Sequence, residues 1–457
     1  MNISRKIVLG LLSVLFLFSC KNSPIIIEEN IVKIAPDKLS SQVATDWMDL
    51  LVEIDREMTN LGPNGASRII ALAGMAVYES VVPASDKYKP LQELIPSFNS
   101  PDLNNENAYV WEASVNAAMA ELLRAIIPNI SQKHLSDIAN LELKNNSQFG
   151  VRYDKNAILE SIQWGRQVAN SVIEYARNDA EAMSQMEDPR PSSYSPSTEK
   201  GAWRPTGSKP GKALYPYWGK VNTHIINKED FSAVAPPPYL ESTNTPFYNQ
   251  AESVYNSVKN ATPTERWIAE FWSDDLPEVT FSAASRMMAI ANQLIAQEGI
   301  SLEKTAELYC KLGIALSDAI TVAWKEKYRH NLLRPTDYIV KMIDDQYQSL
   351  LGRAVNQIGV VPDYPSYPSG HAVISAVGAG ILSSFFGDNV SFTDNCHKDR
   401  KEFFGNPRSF ISLSEMANEQ ARSRILLGIE YPFCVAEGQR LGREISQAIS
   451  ENLNLLK

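Results

Sequence analysis

The chain has 457 residues, with 43 Lys and Arg against 53 Asp and Glu, a net charge of −10, five His and four Cys. Its 44% hydrophobic and 21% charged residues are those of a globular chain long enough to bury a sizeable core. The acidic balance argues against a phosphate-backbone binder, so no nucleic-acid partner is expected. Five scattered histidines exclude a His-rich metal box, and the cysteines at 310, 396 and 434 form neither a CxxC pair nor a disulfide framework.

Residues 1–20 read as a targeting segment. Arg5 and Lys6 precede an apolar run at 7–18, too short to span a bilayer but suited to the core of a signal peptide. The run ends Leu17-Phe18-Ser19-Cys20, which resembles a bacterial lipoprotein signal in which Cys20 becomes the lipidated first residue. A plain secretory signal or short anchor with an incidental Cys is the alternative. Removing the segment takes away two of the 43 basic residues and no acidic ones, leaving 41 against 53, or −12. The expectation is an exported chain, lipid-anchored in the bacterial cell envelope on its periplasmic or outer-membrane side. No later stretch is expected to be apolar enough to cross a membrane.

Beyond the signal, apolar residues recur three and four apart at 43–58, 66–81, 107–126 and 157–175, the pattern of amphipathic helices. From 187 to 238 the composition shifts, with nine prolines between 189 and 238, and a long irregular excursion is expected. Helical spacing resumes at 264–272, 281–296, 302–328, 369–386, 413–427 and 436–453. No convincing period-two alternation occurs. The economical reading is all-α: an N-terminal bundle over 21–186, a Pro-rich loop over 187–260, and a C-terminal bundle over 261–457.

Three segments of the second bundle carry chemistry. In the first, seven positions separate Lys327 from Arg334. On a helix this is two turns, roughly 20° off alignment and about 10.5 Å along the axis, so both cations can face one anion. Pro335 turns Arg334 out of helical geometry. In the second, Tyr367-Pro368-Ser369-Gly370-His371 opens an apolar stripe, which puts Ser369 at the N-cap and Gly370 and His371 in the first turn. Such a terminus favours anions, and His371 is placed for acid-base work. In the third, Ser423-Arg424 precedes Gly428-Ile429-Glu430-Tyr431-Pro432-Phe433-Cys434. Arg424 shares a stripe with Leu413, Ala417 and Gln420 and is expected to point inward, where it needs an anionic partner. Taken singly, a solvated basic helix end and a well-capped helix are the simpler explanations of the first two segments, and a structural salt bridge explains the third equally well. His330, between the cations, reads more simply as a surface residue, and His134, His224 and His397 join no constellation.

In this order, Lys-x6-Arg-Pro, Pro-Ser-Gly-His and Ser-Arg-x3-Gly resemble the pattern of the vanadium-dependent haloperoxidases and the related type 2 phosphatidic acid phosphatases. Trp324 with Lys327 favours the haloperoxidase branch. Further segments are similar to bacterial haloperoxidase-like proteins: 67–83, Trp203-Arg204-Pro205-Thr206, 216–221 and 265–272, so the resemblance covers nearly all of the mature chain. It implies that Lys327, Arg334 and Arg424 hold the oxygens of vanadate or phosphate, that Ser369 and Gly370 add hydrogen bonds, and that His371 is the acid-base residue. The activity it implies is peroxide-driven halide oxidation at a vanadate cofactor.

The sequence departs from that pattern at one decisive place. Where the family carries the His that binds vanadium, or attacks phosphorus in the phosphatases, this chain has Glu430; where the family usually has an Asp that orients that His, it has Cys434. A carboxylate beside an oxyanion repels it, and loss of a ligand together with its orienting partner is expected where the ligand's step is no longer required. Three readings follow. One is a haloperoxidase whose vanadate is held by charge and hydrogen bonds. Another is a phosphoester hydrolase with Glu430 as nucleophile. The third is a non-catalytic lipoprotein that retains an oxyanion or organic-ligand site.

Overall fold

The computed structural model describes residues 34–59, 61–206, 211–274, 276, 278–357, 359–401 and 405–457. The proposed signal and Cys20 lie outside the described residues. Residues from Ile34 to Lys457 form one compact unit.

Helices α1 (Gln42–Glu57), α2 (Gly62–Val81), α3 (Trp111–Ile126), α4 (Gln132–Arg152), α5 (Lys155–Arg177) and α6 (Ala180–Glu187) precede the Pro-rich excursion. After it come α7 (Pro246–Lys259), α8 (Pro263–Phe271), α9 (Ala283–Glu298), α10 (Leu302–His330), α11 (Pro335–Met342), α12 (Gly370–Phe386), α13 (Leu413–Leu426) and α14 (Pro432–Asn452). Two three-residue strands, β1 (Phe392–Asp394) and β2 (Arg408–Phe410), pair antiparallel with Phe392 opposite Phe410. The protein is all-α, as its periodicity predicts. Helix starts are fixed locally: the hydroxyls of Ser131, Ser282, Ser301 and Ser412 each accept an N–H of the first turn, each cap worth about 1 kcal/mol.

Helices from both sides of the excursion share one continuous apolar core. At its centre α2 lies against α10. A Cβ on Gly74 would collide with the Tyr309 carbonyl, and one on Gly313 would lie 2.9 Å from the Cα of Ala71. The two backbones therefore meet at a distance that only glycine permits. Gly62–Ala84 differs from expectation: it is long and apolar enough to cross a membrane, yet its apolar window is wholly buried inside the protein. An all-round apolar helix is what the centre of a large soluble core requires.

Among its described residues the excursion is irregular from 188 to 245 apart from single 3₁₀ turns at Trp218–Lys220 and Lys228–Asp230, whereas the last part of the expected loop is instead the helix α7; the irregular part is tied down. Asp318 of α10 accepts the backbone N–H groups of His224, Ile225 and Ile226 at 2.6, 3.0 and 3.2 Å. The His224 ring lies between the Tyr175 hydroxyl at 2.8 Å and Arg68 at 3.2 Å, and Arg68 is paired with Asp179 at 3.1 Å. Burial and the Arg68 charge hold this imidazole well below its ordinary pKa. His224 thus belongs to a buried network that spacing in the sequence does not reveal.

Candidate functional site

The site forms where the C-terminal end of α10, the start of α12, the end of α13 and the start of α14 converge. Helix α10 stops at His330, because Asn331 takes a left-handed conformation (φ 44°). Arg334 is therefore not on the same helix as Lys327: it is extended and caps α11, with Pro335 at that helix's first position. The intervening strand-like segment is held by the excursion, with Trp203 N–H donating to the Asn331 carbonyl at 2.8 Å and Leu333 N–H to Gly201 at 3.0 Å. Both cations still converge. Tyr364 presents its ring to each, 5.3 Å from Lys327 Nζ and 4.9 Å from the Arg334 guanidinium.

Lys327 is fully buried, and its ammonium donates to three carbonyls, Pro365 at 3.0 Å, Ser366 at 3.0 Å and Pro368 at 2.6 Å. An ammonium has three N–H bonds, so these contacts engage all of them. Arg334, also fully buried, donates from Nε to the Tyr364 carbonyl (3.1 Å) and from Nη1 to the Ile429 carbonyl (3.0 Å). Glu430 reaches both cations from the α13–α14 turn, its Oε1 3.9 Å from Lys327 Nζ and 3.7 Å from Arg334 Nη1. Burial pushes the Lys327 ammonium down to about 7, with Glu430 opposing the fall and Arg334 adding to it.

Ser369 caps α12 as predicted, its Oγ accepting Ala372 N–H at 3.2 Å. Its own N–H donates to the Cys434 carbonyl at 3.0 Å, which ties the start of α12 to the start of α14. A Cβ on Gly370 would sit 3.2 Å from the Trp324 ring and 3.4 Å from Lys327 Cε. The spacing predicts His371 in the first turn, and it is there, buried. Burial and the charges of Arg424, Lys327 and Arg334 hold its imidazole well below the ordinary range, so it is neutral at neutral pH. Arg424 points inward as its stripe predicts, donating from Nη2 to the Trp272 carbonyl and from Nε to Ser423 Oγ at 3.2 Å.

The fold that carries this site is shared with known proteins. A family model described as the VCPO second helical-bundle domain matches residues 307–456. The vanadium chloroperoxidase of Curvularia inaequalis is 21% identical over 500 aligned positions, covering 88% of this chain and 80% of that protein. The crystal structure of the first bacterial vanadium-dependent iodoperoxidase superposes with a TM-score of 0.82 at 27% identity, covering 93% of this chain and 99% of that one. An apo-type bacterial vanadium-dependent chloroperoxidase gives 0.68 at 14% identity, with 92% and 99% covered. Over nearly its whole length the chain is thus similar to vanadium-dependent haloperoxidases and has their all-helical fold, and residues 307–456 match their second helical bundle.

In this chain the predicted cradle is divided. A cavity of about 140 Å³ is lined by Arg424, His371 and Tyr364 among others, whereas Lys327, Arg334 and Glu430 do not line it. Cys434 is buried against Ser366, Sγ to Oγ 3.5 Å, and burial beside Glu430 pushes its thiol up to about 12, so it is neutral. His330 lies outside the cavity lining, stacking edge-to-face on Tyr367 with its ring nitrogen 3.6 Å from Glu326.

Sequence spacing missed the support behind Arg424. Arg286 of α9 is fully buried, ion-paired with Asp274 at 2.8 Å and Asp394 at 3.1 Å, and enclosed by the rings of Phe271, Trp272 and Phe281 at 4.8–5.0 Å. It also contacts His397, another histidine to which the sequence assigns no partner. Arg286 donates to the Phe271 carbonyl at 2.7 Å, and Arg424 to that of the next residue, Trp272. The two buried arginines thus grip consecutive peptides of one turn. Only the run of aromatic residues near 271 hints at this in the sequence.

Proposed function

We propose that this protein is a lipid-anchored binding protein on a haloperoxidase scaffold, its anion cradle neutralised from within by Glu430, and that it does not turn over halide. The observation that carries the reading is the Glu430 carboxylate within 4 Å of both Lys327 and Arg334, with the Lys327 donors on backbone carbonyls. Vanadate needs N–H donors aimed at its oxygens and a neutral apical donor. The residues present do not fit it: Glu430, an acid, stands where the family carries its vanadium-binding His, and the Lys327 ammonium's donors are engaged.

What remains is binding. Arg424 and the neutral His371 share the cavity wall and can both donate to an anion, the one with its fixed charge and the other from a ring N–H. Glu430 as a nucleophile toward a phosphoester would have to face the cavity, and it is not among the lining residues. The test is peroxide-dependent oxidation of iodide and bromide after saturation with vanadate. Wild type is expected to be inactive, and the double variant Glu430→His with Cys434→Asp to gain vanadate affinity and turnover. Halide oxidation by vanadate-loaded wild type overturns the reading.

A further inference from the structure

The cavity beside the neutralised cradle has a composition that selects its ligand. Its walls are largely apolar, with Leu214, Leu276, Val360, Val361 and Ile429 facing the space, and one part of the wall carries Arg424 and His371. Three carboxylates also line it, and each is accounted for. Asp274 is paired with Arg286 at 2.8 Å, and Asp363 with Arg190 at 2.8 Å. Asp55 accepts the Ser282 N–H at 2.8 Å, and burial raises its pKa, which favours the neutral acid. Arg424 is held in the wall by its bonds to the Trp272 carbonyl and the Ser423 hydroxyl. The Arg424 side chain is 1% exposed, so its permanent charge sits in a medium where attraction to an anion is much stronger than in water.

A volume of about 140 Å³ is close to the roughly 150 Å³ at which an engineered apolar cavity takes up benzene. An inorganic oxyanion would leave most of the apolar wall in contact with nothing. A neutral hydrocarbon would gain nothing from the guanidinium and imidazole that share the wall. We propose that the cavity binds a small organic anion, with one aromatic or short aliphatic body against the Leu214–Val361 wall and one carboxylate or phosphate head on Arg424 and His371. The inference rests on the binding-protein reading above and names the ligand class.

Calorimetric titration tests it with benzoate, phenyl phosphate, inorganic phosphate and benzyl alcohol as probes. Benzoate or phenyl phosphate is expected to bind at least about tenfold more tightly than inorganic phosphate and than benzyl alcohol, since only the aromatic anions engage both the charged and the apolar parts of the wall. The preferred head group separates a carboxylate ligand from a phosphate ester. Arg424→Gln should weaken the aromatic anions about tenfold or more. Val361→Trp, which fills the apolar end and leaves the cation in place, should abolish their binding while the circular dichroism stays that of wild type. Absence of aromatic-anion binding, equal binding of inorganic phosphate, or indifference to both substitutions overturns the proposal. These outcomes are read without peroxide or halide, so they stand apart from the turnover assay that judges the parent reading.

Discussion

Glu430→Gln keeps the shape of the side chain and removes its charge. At an effective dielectric of about 20, contacts of 3.9 Å to Lys327 and 3.7 Å to Arg334 are each worth about 4 kcal/mol of Coulomb attraction. Part of this is offset by the cost of keeping the carboxylate out of water, and breaking a buried pair typically costs about 3–5 kcal/mol net. Lys327 lowers the figure further. It already titrates near 7 and, with Glu430 gone, can give up its proton in the folded state, leaving Arg334 as the main uncompensated charge. The expected loss of stability is therefore about 3 kcal/mol, measured by urea unfolding near neutral pH.

The same substitution should reopen the cradle to external anions. If Glu430 acts as a built-in counter-ion, phosphate or vanadate should stabilise Glu430→Gln by up to about 2.7 kcal/mol at a hundredfold excess over its Kd, while wild type responds far less. A variant as stable as wild type, or an anion effect of equal size in both proteins, refutes the idea that the carboxylate neutralises the site.

Two further expectations concern the buried cations. Lys327 has a folded pKa depressed to about 7 from an ordinary 10.5, so between these values the unfolded chain binds more protons and stability rises with pH; the difference in unfolding free energy between wild type and Lys327→Met should therefore grow in favour of wild type from about pH 7 toward pH 10, and a flat or falling difference refutes the assignment. Arg286→Met strands Asp274 and Asp394 as buried unpaired carboxylates and should cost about 3–5 kcal/mol by chemical denaturation, with benzoate affinity falling as the Trp272 carbonyl that positions Arg424 loses its support.

The helices that periodicity locates are those with a wide apolar stripe. Of those it misses, α4 buries only His134, Ile138, Asn145 and Phe149 along 21 residues, α6 and α11 have eight residues each, and α7, whose buried Phe247, Ala251, Val254 and Val258 do form a stripe, lies inside the stretch read as a Pro-rich loop. The positions of Ser369, Gly370, His371 and Arg424 are legible because each follows from a local rule of capping or helical phase. Arg334 is misplaced onto the helix of Lys327 because a left-handed turn at Asn331 is invisible to a seven-residue spacing. The identity of Glu430 is legible, and its consequence is not. Whether a carboxylate repels a ligand or satisfies the cations around it depends on where Lys327 and Arg334 point, and that is set by three carbonyls from a loop some forty residues away in the chain. The Arg286 cluster depends on contacts between residues more than a hundred positions apart and leaves no periodic trace.

Glu430 and Cys434 also explain each other. With an acid at 430 beside the two cations, a second acid at 434 would put like charges together in a buried site, and a neutral group is the consistent partner. Cys434 meets that need, since its thiol is pushed up to about 12 with Glu430 among the causes. Cys434→Asp alone should therefore destabilise the fold by about 2 kcal/mol or more, through a buried carboxylate facing Glu430. Glu430→His alone should also destabilise, because it leaves Lys327 and Arg334 without their counter-ion. In the double variant the carboxylate introduced by Cys434→Asp replaces the lost negative charge and gives the imidazole an acceptor, so the two losses should not add. A coupling energy of about 1 kcal/mol or more from the double-mutant cycle is the expected result. Simple additivity would show that the two positions changed independently and would remove the charge-balance account of the site.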